Sequence, residues 1–481
     1  MKASMHDISD SARAGDDKPA AMPDSSERIA EHLARTQFED LPPPVVEAVK
    51  AAILDTIGCV LAGTACKDVI AIRRVAESWG GRPTSTVICG SGLKVPAASA
   101  VLVNGSAIHQ FDFDDTHDRA VMHPSAASLM PALAVAEEAG DVSGKSVITA
   151  VALANDLSSR IGLATRGRMW DHPWFRATVI GLFGATAAAA KIMRADASQH
   201  LEALGLTLPQ ISGTWASLHH KGSSVRSIRD GLCYRNGVLA AELAMNGIRG
   251  DREVFDGPYG FYQAFFRGGY AREELTDGLG VRHESARVSL KPWPCIRHLH
   301  TTLTAVVDLL NRHGLRFEDI AEVQLSVGQV NRDRFRPVAL GSSPEHHIDL
   351  AGNMHFAVAA VIRYGGIPLA LYHETDLADE VIAKAMPKVR WTYDDTLNGH
   401  TFEASRVQLT TTSGVRLRSE CDTALGHPDN PMTDAQRTEK FVQCAAAAVR
   451  PFSRQKALEI AHTIGRLDEI GDIQSVMELL A

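Results

Sequence analysis

The densest group of titratable side chains lies in the stretch HQFDFDDTHDRAVMHPSA, residues 109–126. It holds four aspartates, three histidines and one arginine. Asp112, Asp114 and Asp115 are close enough in sequence to repel one another. A carboxylate that is forced close to others, or buried, titrates nearer neutrality and can take a proton from carbon. The stretch therefore has the residue types that general acid–base chemistry requires.

The end of this stretch predicts a helix start beside a histidine. His123 precedes Pro124, which biases it away from the helical conformation, and Ser125 can cap the helix that follows. His123 would then lie at a helix N-terminus, where backbone N–H groups and the positive dipole end favour a substrate carboxylate. A histidine there can exchange a proton with the anion that it helps to bind. We predict Asp112 and His123 as the catalytic acid–base pair, without deciding which of them is the base.

Three other interpretations of residues 109–126 compete with this one. A run of charges is often a solvated loop. Asp-x-Asp-Asp with nearby histidines could hold a metal, but no second cluster at ligand spacing completes the set, so we predict no metal. The pattern DFDDT, residues 112–116, also resembles the acid motif of class II terpene cyclases. Those sites need an aromatic lining to stabilise carbocations, and aromatic residues make up only 6% of this chain.

Composition excludes several classes of function. The net charge of −8 argues against nucleic acid as a partner. No run of about 18 apolar residues predicts a membrane span. The seven cysteines are scattered without C-x-x-C spacing, which fits a reducing compartment, and the N-terminus has no apolar secretory segment. We therefore expect a cytoplasmic protein.

The elements around the loop are predicted to be mostly helical. The segment LPPPVVEAVKAAILDTIGCVLAGT predicts a helix with Pro44 in its first turn and Gly63 at its end. A helix before it follows Ser25 and Ser26, which can cap it. Segments rich in Ala and Gly recur up to about Glu284, and their small residues let helices approach closely. These features predict a tight helical bundle.

The pattern changes to mixed α and β after this bundle. Residues 321–330 alternate like a strand, and SRVQLTTTSGVRLRSE predicts a hairpin that turns at Ser413 and Gly414. Helical patterns return after Pro431. At 481 residues the chain exceeds what one core usually serves. We predict a mainly α fold with an inserted α+β domain: a disordered tail at residues 1–26, a helical domain from residues 27–284 and 425–481, and the α+β domain at residues 285–424.

Several motifs, in this order and at this spacing, resemble one family. They are LPPPVVEAVKAAILDTIGCVLAGT, VNGSAIHQFDFDDTH, HPSA followed by PALAVAEEAG, VIGLFGATAAAAK, KPWPCIRHLHT and GHPDNPMT. The chain resembles the MmgE/PrpD family of 2-methylcitrate dehydratases, cis-aconitate decarboxylases and iminodisuccinate epimerases. The resemblance implies a helical domain with a smaller α+β lid, a homodimer, no metal or organic cofactor, and a small di- or tricarboxylate substrate. It also implies proton transfer at a carbon next to a carboxylate.

The resemblance assigns roles in the loop and marks departures elsewhere. Asp112 matches an active-site aspartate, Thr116 a substrate-contacting threonine and His123 a catalytic histidine. Phe175 occupies the position of a second active-site histidine in the decarboxylases, and His172, three residues earlier, is a candidate replacement. Ile296 occupies the position of a third histidine.

The remaining predicted substrate contacts are mostly cations. The position of a family lysine is Arg226 here. Arginine binds carboxylates bidentately, whereas lysine provides a point charge. The full set of predicted substrate-binding residues is Thr116, Lys221, Arg226, Lys291, Arg297 and His300, and Arg229 is a further candidate.

These observations predict a cofactor-independent lyase or isomerase of a small polycarboxylate. We favour dehydration of the 2-methylcitrate type, with epimerisation of an iminodisuccinate-like substrate as the first alternative. Phe175, Arg226 and Ile296 disfavour decarboxylation of cis-aconitate. The non-enzymatic alternative is a homologue that only binds a carboxylate.

Overall fold

The computed structural model describes residues 24–167, 171–219, 222–329, 346–372, 380–398 and 404–481. Helix α1 spans Ser25–Arg35, and its N-cap is Asp24, whose carboxylate accepts from the backbone N–H of Ser26. The two serines that we expected to cap this helix lie inside its first turn and are buried, so that prediction is wrong. A carboxylate replaces the serine hydroxyl as the acceptor for the first free N–H groups. Most of the predicted disordered tail lies outside the described residues.

The first part of the chain is a bundle of helices around α4, α5, α7 and α10. Its helices are α2 (Pro43–Gly63), α3 (Lys67–Trp79), α4 (Ala97–Ile108), α5 (Pro124–Ala139), α6 (Gly144–Ala164), α7 (Arg176–Ile192), α8 (Ala197–Thr207), α9 (Ala216–His219), α10 (Val225–Met245), α11 (Phe261–Phe266) and α12 (Arg272–Thr276). Strands β1 (Ser85–Thr86) and β2 (Lys94–Val95) pair antiparallel beside it. The predicted helix with Pro44 in its first turn and Gly63 at its end is confirmed as α2.

Glycines permit a close crossing of two helices in this bundle. A Cβ added at Gly231 of α10 would lie 2.2 Å from the carbonyl oxygen of Leu102 in α4. A Cβ added at Gly105 of α4 would lie 2.9 Å from the Cα of Gly231. Only glycine permits backbones to approach this closely. The contact brings the N-terminal half of α10 against α4, directly before the loop at residues 109–123.

The mixed part of the chain contains a four-stranded sheet in the order β4-β3-β5-β6. Its strands are β3 (Ile320–Val327), β4 (Val389–Tyr393), β5 (Ser405–Thr411) and β6 (Arg416–Cys421). β3 pairs with β4 in parallel and with β5 antiparallel. The predicted hairpin is confirmed between β5 and β6, where Gly414 has φ 87°. Helices α13 (His300–His313), α14 (Met354–Tyr364) and α15 (Glu380–Ala385) accompany the sheet.

The C-terminal helices return to the first part of the chain. They are α16 (Asp434–Ala446), α17 (Arg454–Gly465) and α18 (Gln474–Leu480). α16 and α17 pack against α2, where a Cβ at Gly58 would lie 3.3 Å from the ring of Phe441. The described residues are thus mainly helical with one small mixed α/β part, and the predicted domain boundaries stay a prediction.

Among the described residues, α6 alone is long and apolar enough to cross a membrane, and 94% of its apolar window is buried inside the protein.

Candidate active site

The loop between α4 and α5 carries the predicted catalytic residues, and it is buried. Asp114 and Asp115 have no solvent exposure, and Asp112 is 5% exposed. Asp112 also has φ 51°, a left-handed backbone conformation that costs energy in a residue with a side chain. The interpretation of this stretch as a solvated loop is therefore wrong. Burial of this many charges requires partners for each of them.

Two cations hold the carboxylate of Asp112. Lys291 Nζ lies 2.6 Å from Asp112 Oδ1 and also donates to the backbone oxygen of Asp112 at 2.7 Å. Arg226 Nη2 donates to Asp112 Oδ2 at 2.7 Å. Burial alone would raise the pKa of Asp112, but Lys291, His109 and Arg226 together hold it well below its usual value. Asp112 is therefore a weak base that fixes the positions of two cations.

His109 lies between two aspartates of the loop. Its Nδ1 is 2.8 Å from Asp114 Oδ1, and its Nε2 is 3.3 Å from Asp112 Oδ2. Burial and the nearby Arg229 oppose a charge on His109, but the two carboxylates outweigh them and raise its pKa. Sequence reasoning did not separate this residue from an ordinary loop residue. Its spacing of three and five residues from the aspartates was the available signal.

His123 is the N-cap residue of α5, as predicted from Pro124. Its Nδ1 lies 2.7 Å from the backbone oxygen of Asp115 and 3.1 Å from Asp114 Oδ2. Because a carbonyl oxygen only accepts, Nδ1 must carry the proton, which leaves the lone pair on Nε2. Burial lowers the pKa of His123 to about 4, against the opposing effect of Asp114. At neutral pH His123 is thus an uncharged imidazole with a free basic nitrogen.

Asp115 occupies the helix N-terminus that we predicted for a substrate carboxylate. The backbone N–H of Ser125 lies 3.3 and 3.2 Å from the two carboxylate oxygens of Asp115. The prediction that Ser125 caps α5 is wrong, because the structure shows no side-chain cap from the helix start and a carboxylate of the preceding loop takes the N–H. Burial, Asp114 and Asp55 raise the pKa of Asp115 to about 8.

A buried ion pair from other elements supports this loop. Lys440 Nζ in α16 lies 2.6 Å from Asp55 Oδ1 in α2 and donates to the backbone oxygen of Phe113 at 2.9 Å. The same nitrogen is 3.7 Å from the centre of the Phe113 ring. Attraction by Asp55 outweighs burial and raises the pKa of Lys440. The C-terminal helix thereby fixes the backbone between Asp112 and Asp114.

Other predicted substrate contacts lie close to this cluster. Thr116 and Ser289 form a short antiparallel bridge, and the hydroxyl of Thr116 is buried without a hydrogen-bond partner among the described residues. His300 Nε2 lies 3.3 Å from the backbone oxygen of Cys295. Burial, Arg297 and Lys291 hold the pKa of His300 well below its usual value, so it is uncharged. Substrate binding by these residues stays a prediction.

Arg297 and His172 have contacts away from Asp112. Arg297 Nη2 pairs with Asp118 at 2.9 Å and also donates to Ser289 Oγ at 3.1 Å. His172 packs edge-on against the ring of Phe266, with centroids 5.0 Å apart. Its described contacts give no support to the idea that it replaces the missing family histidine. The predicted contact Lys221 lies outside the described residues.

The two departures at Phe175 and Ile296 are apolar and packed. Phe175 lies edge-on to the ring of Trp215 and under the guanidinium of Arg229. The side chain of Ile296 is 8% exposed and belongs to the hydrophobic core. Neither position offers a proton carrier.

Two groups of side chains in the described residues have ligand atoms close enough to hold an ion. His109, Asp112 and His123 form one, and His109, Asp114 and Asp230 form the other, with each set of atoms within 4.8 Å. In the first group Asp112 is already neutralised by Lys291 and Arg226. A divalent cation there would meet two fixed positive charges, so the arrangement suits an anion better than a metal.

The chain matches known proteins along most of its length. The MmgE/PrpD N-terminal domain matches residues 27–274, and the MmgE/PrpD C-terminal domain matches residues 293–465. The chain is 26% identical over 469 residues to a cis-aconitate decarboxylase of Aspergillus terreus, covering 92% of this chain and 93% of that protein. It is 24% identical over 448 residues to a cis-aconitate decarboxylase of Homo sapiens, covering 91% and 90%. A cis-aconitate decarboxylase-like protein, oryM, of Aspergillus oryzae is 25% identical over 470 residues, covering 92% and 94%.

Proposed function

Because the chain belongs to the MmgE/PrpD family and is a lyase-type enzyme, we propose that it removes a proton from a carbon next to a carboxylate of a small di- or tricarboxylate. We assign His123 as the base. The observation that carries this assignment is the uncharged imidazole of His123, fixed through Nδ1 and basic at Nε2. Asp112 is excluded as the base by the two cations that keep its pKa low.

The cations on Asp112 bind and activate the substrate in this proposal. A substrate carboxylate competes with Asp112 for Arg226 and Lys291. His123 Nε2 takes the proton from the adjacent carbon, and the electron pair moves into the carboxylate as an enediolate. Fixed positive charges stabilise such an anion more in a buried site than in water. The protonated His123 then gives its proton to a leaving hydroxyl, water departs, and the carbon–carbon double bond forms.

Dehydration of the 2-methylcitrate type remains the leading reaction in this proposal. The support is that His123 can serve both steps, since the proton that it removes is the proton that the leaving hydroxyl needs. Return of that proton to the opposite face would require a second donor on the other side of the substrate. The loop histidine with a raised pKa, His109, packs against the ring of His123 with centroids 5.0 Å apart, so it lies beside the base and not across the substrate from it. Epimerisation therefore has less support.

Decarboxylation of a cis-aconitate-like substrate is the second candidate. Its support is the name of the relatives, which are 24–26% identical to this chain. Phe175, Arg226 and Ile296 weigh against it, because they replace residues that the resemblance to decarboxylases would require. In that reaction CO₂ leaves, the electron pair stays on carbon, and that carbon takes a proton that His123 must first acquire from solvent, because its imidazole starts uncharged.

We further propose a helical domain from residues 27–284 and 425–481 with the segment 285–424 as a lid, in a cytoplasmic homodimer. Besides Lys291 and Arg297, residues 346–348 of the segment contact the helical part. His346 Nε2 lies 2.8 Å from Asp68 Oδ2, and Arg226 Nη1 donates to the backbone oxygen of Ile348 at 3.4 Å. Light scattering on the purified chain would test the dimer: twice the chain mass supports it, and a monomer overturns it.

Proton NMR in D₂O tests the reaction with 2-methylcitrate, citrate, cis-aconitate and iminodisuccinate as substrates. New vinyl signals from the hydroxy acids support dehydration. Loss of CO₂ from cis-aconitate would replace dehydration by decarboxylation. Deuterium at a substrate carbon without net conversion would favour epimerisation. An unchanged spectrum for every substrate, from a folded protein, would favour the homologue that only binds carboxylates.

A further inference from the structure

A cleft of about 550 Å³ lies at the N-terminal end of α10. Its lining residues are Phe175, Thr178, Gly213, Thr214, Ala216, Ser217, Gly222, Ser223, Val225 and Arg229. Ligand pockets of drug-sized molecules measure about 300–1,000 Å³. The cleft therefore has room for more of a substrate than the atoms that react at His123.

Arg229 is a buried cation in the wall of this cleft. It is 5% exposed. Its Nη1 donates to the backbone oxygen of Arg226 at 2.6 Å, and its guanidinium lies 4.3 Å from the centre of the Phe175 ring. Its Nε is 3.5 Å from Asp230, too long for a good hydrogen bond, and Nη2 has no partner among the described residues. Asp230 balances the charge of Arg229, but a buried N–H group without an acceptor can take a further one, such as a carboxylate oxygen.

The start of α10 adds a second feature that favours an anion. Ser223 and Val225 line the cleft at the helix N-terminus, and the N-cap Ser224 makes no side-chain cap. The first N–H groups of a helix and its positive dipole end attract negative charge. Because α10 begins beside Arg229, both sources of positive potential act on the same space.

One residue of the cleft wall, Arg229, lies close to the catalytic loop. Arg229 is close enough to His109 to oppose its protonation. Asp230, the neighbour of Arg229, has a carboxylate oxygen within 4.8 Å of ligand atoms of His109 and Asp114. One turn of α10 thus separates the substrate cation Arg226 from Arg229. A single bound molecule can contact both.

We propose that this cleft is a distal subsite that binds a second carboxylate, on a substrate longer than a compact tricarboxylate, through Arg229 and the N-terminus of α10. The intervening carbon chain passes over the ring of Phe175 and the side chain of Val225. The proposal deepens the proposed function and rests on it, because it places the far end of the substrate whose near end reacts at His123. It also explains the position of an aromatic ring where a decarboxylase-like site would hold a histidine.

Calorimetric titration with unbranched dicarboxylates from succinate to suberate tests the subsite without any need for turnover. The wild type should bind the longer acids more tightly than succinate. Arg229→Gln should weaken the longest acid by at least about tenfold, as expected for the loss of one charge-assisted hydrogen bond, and leave succinate unchanged. Arg235→Gln is the matched control, because Arg235 lies on the same helix and contacts Trp79 instead of the cleft. Equal affinities for all lengths, or equal effects of both substitutions, overturn the proposal.

Val225→Glu keeps the test valid if Arg229→Gln fails to fold. Val225 is 46% exposed, and a glutamate suits the first turn of a helix, so the fold should persist. The new carboxylate should repel the distal anion and weaken suberate while succinate binds as before. An unchanged affinity for suberate contradicts the subsite. Proton exchange is measured separately by NMR. If exchange is absent but longer acids still bind more tightly, only the proposed function is contradicted. If exchange occurs but all lengths bind equally, only the subsite is contradicted.

Discussion

The catalytic loop and the cleft wall beside it differ in how their charges are paired. In the loop, Asp112 has Lys291 and Arg226, and Asp114 has His109 and His123. In the cleft wall, Arg229 donates to a backbone oxygen and lies 3.5 Å from the carboxylate of Asp230, and its Nε and Nη2 have no hydrogen-bond partner among the described residues. The charged side chains of the loop are therefore paired before a substrate binds. In our proposal, a bound ligand supplies the missing acceptor for Arg229 in the cleft wall. We infer that the loop determines the chemistry and the wall determines the substrate.

Breaking the support under the loop should have the largest effect. Lys440→Met leaves Asp55 as an uncompensated buried charge and removes the donor to Phe113. We expect the free energy of unfolding to fall by about 3–5 kcal/mol, measured by urea denaturation. Lys456→Met is the matched control: its ion pair with Glu459 is exposed, and the change should stay within about 0.5 kcal/mol. A loss at Lys440 no greater than that of the control would contradict the loop's dependence on α16.

Removing the buried cation of the loop should mainly affect catalysis. Lys291→Met takes a donor from the enediolate and from Asp112, so kcat/KM should fall about 10²–10³-fold. The pKa of Asp112 should rise at the same time, because the cation that lowers it most is gone. Steady-state kinetics on whichever substrate shows turnover measures the first effect. A loss below about fivefold in a folded variant would remove Lys291 from the mechanism.

The raised pKa of Asp115 predicts a pH dependence of stability. A carboxyl group with a higher pKa in the folded state favours folding while it is protonated, and that contribution disappears as pH rises through the folded pKa. Below pH 6.5 the lowered pKa of His123 has the opposite effect, because the unfolded chain then binds the extra proton. The free energy of unfolding of the wild type should therefore fall between pH 6.5 and about 8. Asp115→Asn stays uncharged and keeps an acceptor for Ser125, so its melting temperature should fall less over this window. Parallel curves for the two proteins would refute the raised pKa.

The smallest effect is expected in the cleft wall. Phe175→Leu removes the stacking of Arg229 on an aromatic ring, a contribution of about 0.5–1 kcal/mol at partly exposed sites. Affinity for suberate should fall about two- to fivefold, while kcat for a compact substrate stays near the wild-type value. A large loss of kcat instead would move Phe175 from the wall into the reaction and weaken the contrast between the two regions.

Local patterns predicted much of the framework, because they depend on neighbours in sequence. Pro44 and Gly63 marked the ends of α2, Ser413 and Gly414 marked a hairpin, and Pro124 placed His123 at a helix start. The same reasoning failed at Ser125. A capping residue is chosen by what approaches the helix end in space, and Asp115 arrives from the preceding loop.

The pairing within the site could not be predicted from sequence, since it depends on burial and on partners far along the chain. Asp112 and His123 looked equally suitable as bases. The structure favours His123 because Lys291 and Arg226, more than 100 residues away, pair with the carboxylate of Asp112, whereas the imidazole of His123 stays uncharged. His109 had only its spacing from the aspartates as a local signal, and Arg229 only its closeness to Arg226 in sequence. The partners of both residues follow from the carboxylates and the ring placed around them. The sequence showed that Phe175 replaces a histidine of the decarboxylases, but it did not predict that Phe175 lines a cleft.

The most direct test of the central claim compares deuterium incorporation at the substrate carbon in D₂O for wild type, His123→Ala and Asp112→Asn. If His123 is the base, His123→Ala should lower the exchange rate by about 10²–10⁴-fold, the usual contribution of a general base. Asp112→Asn should retain measurable exchange, because that residue acts by positioning Lys291 and Arg226. Exchange by folded His123→Ala at the wild-type rate would contradict the account.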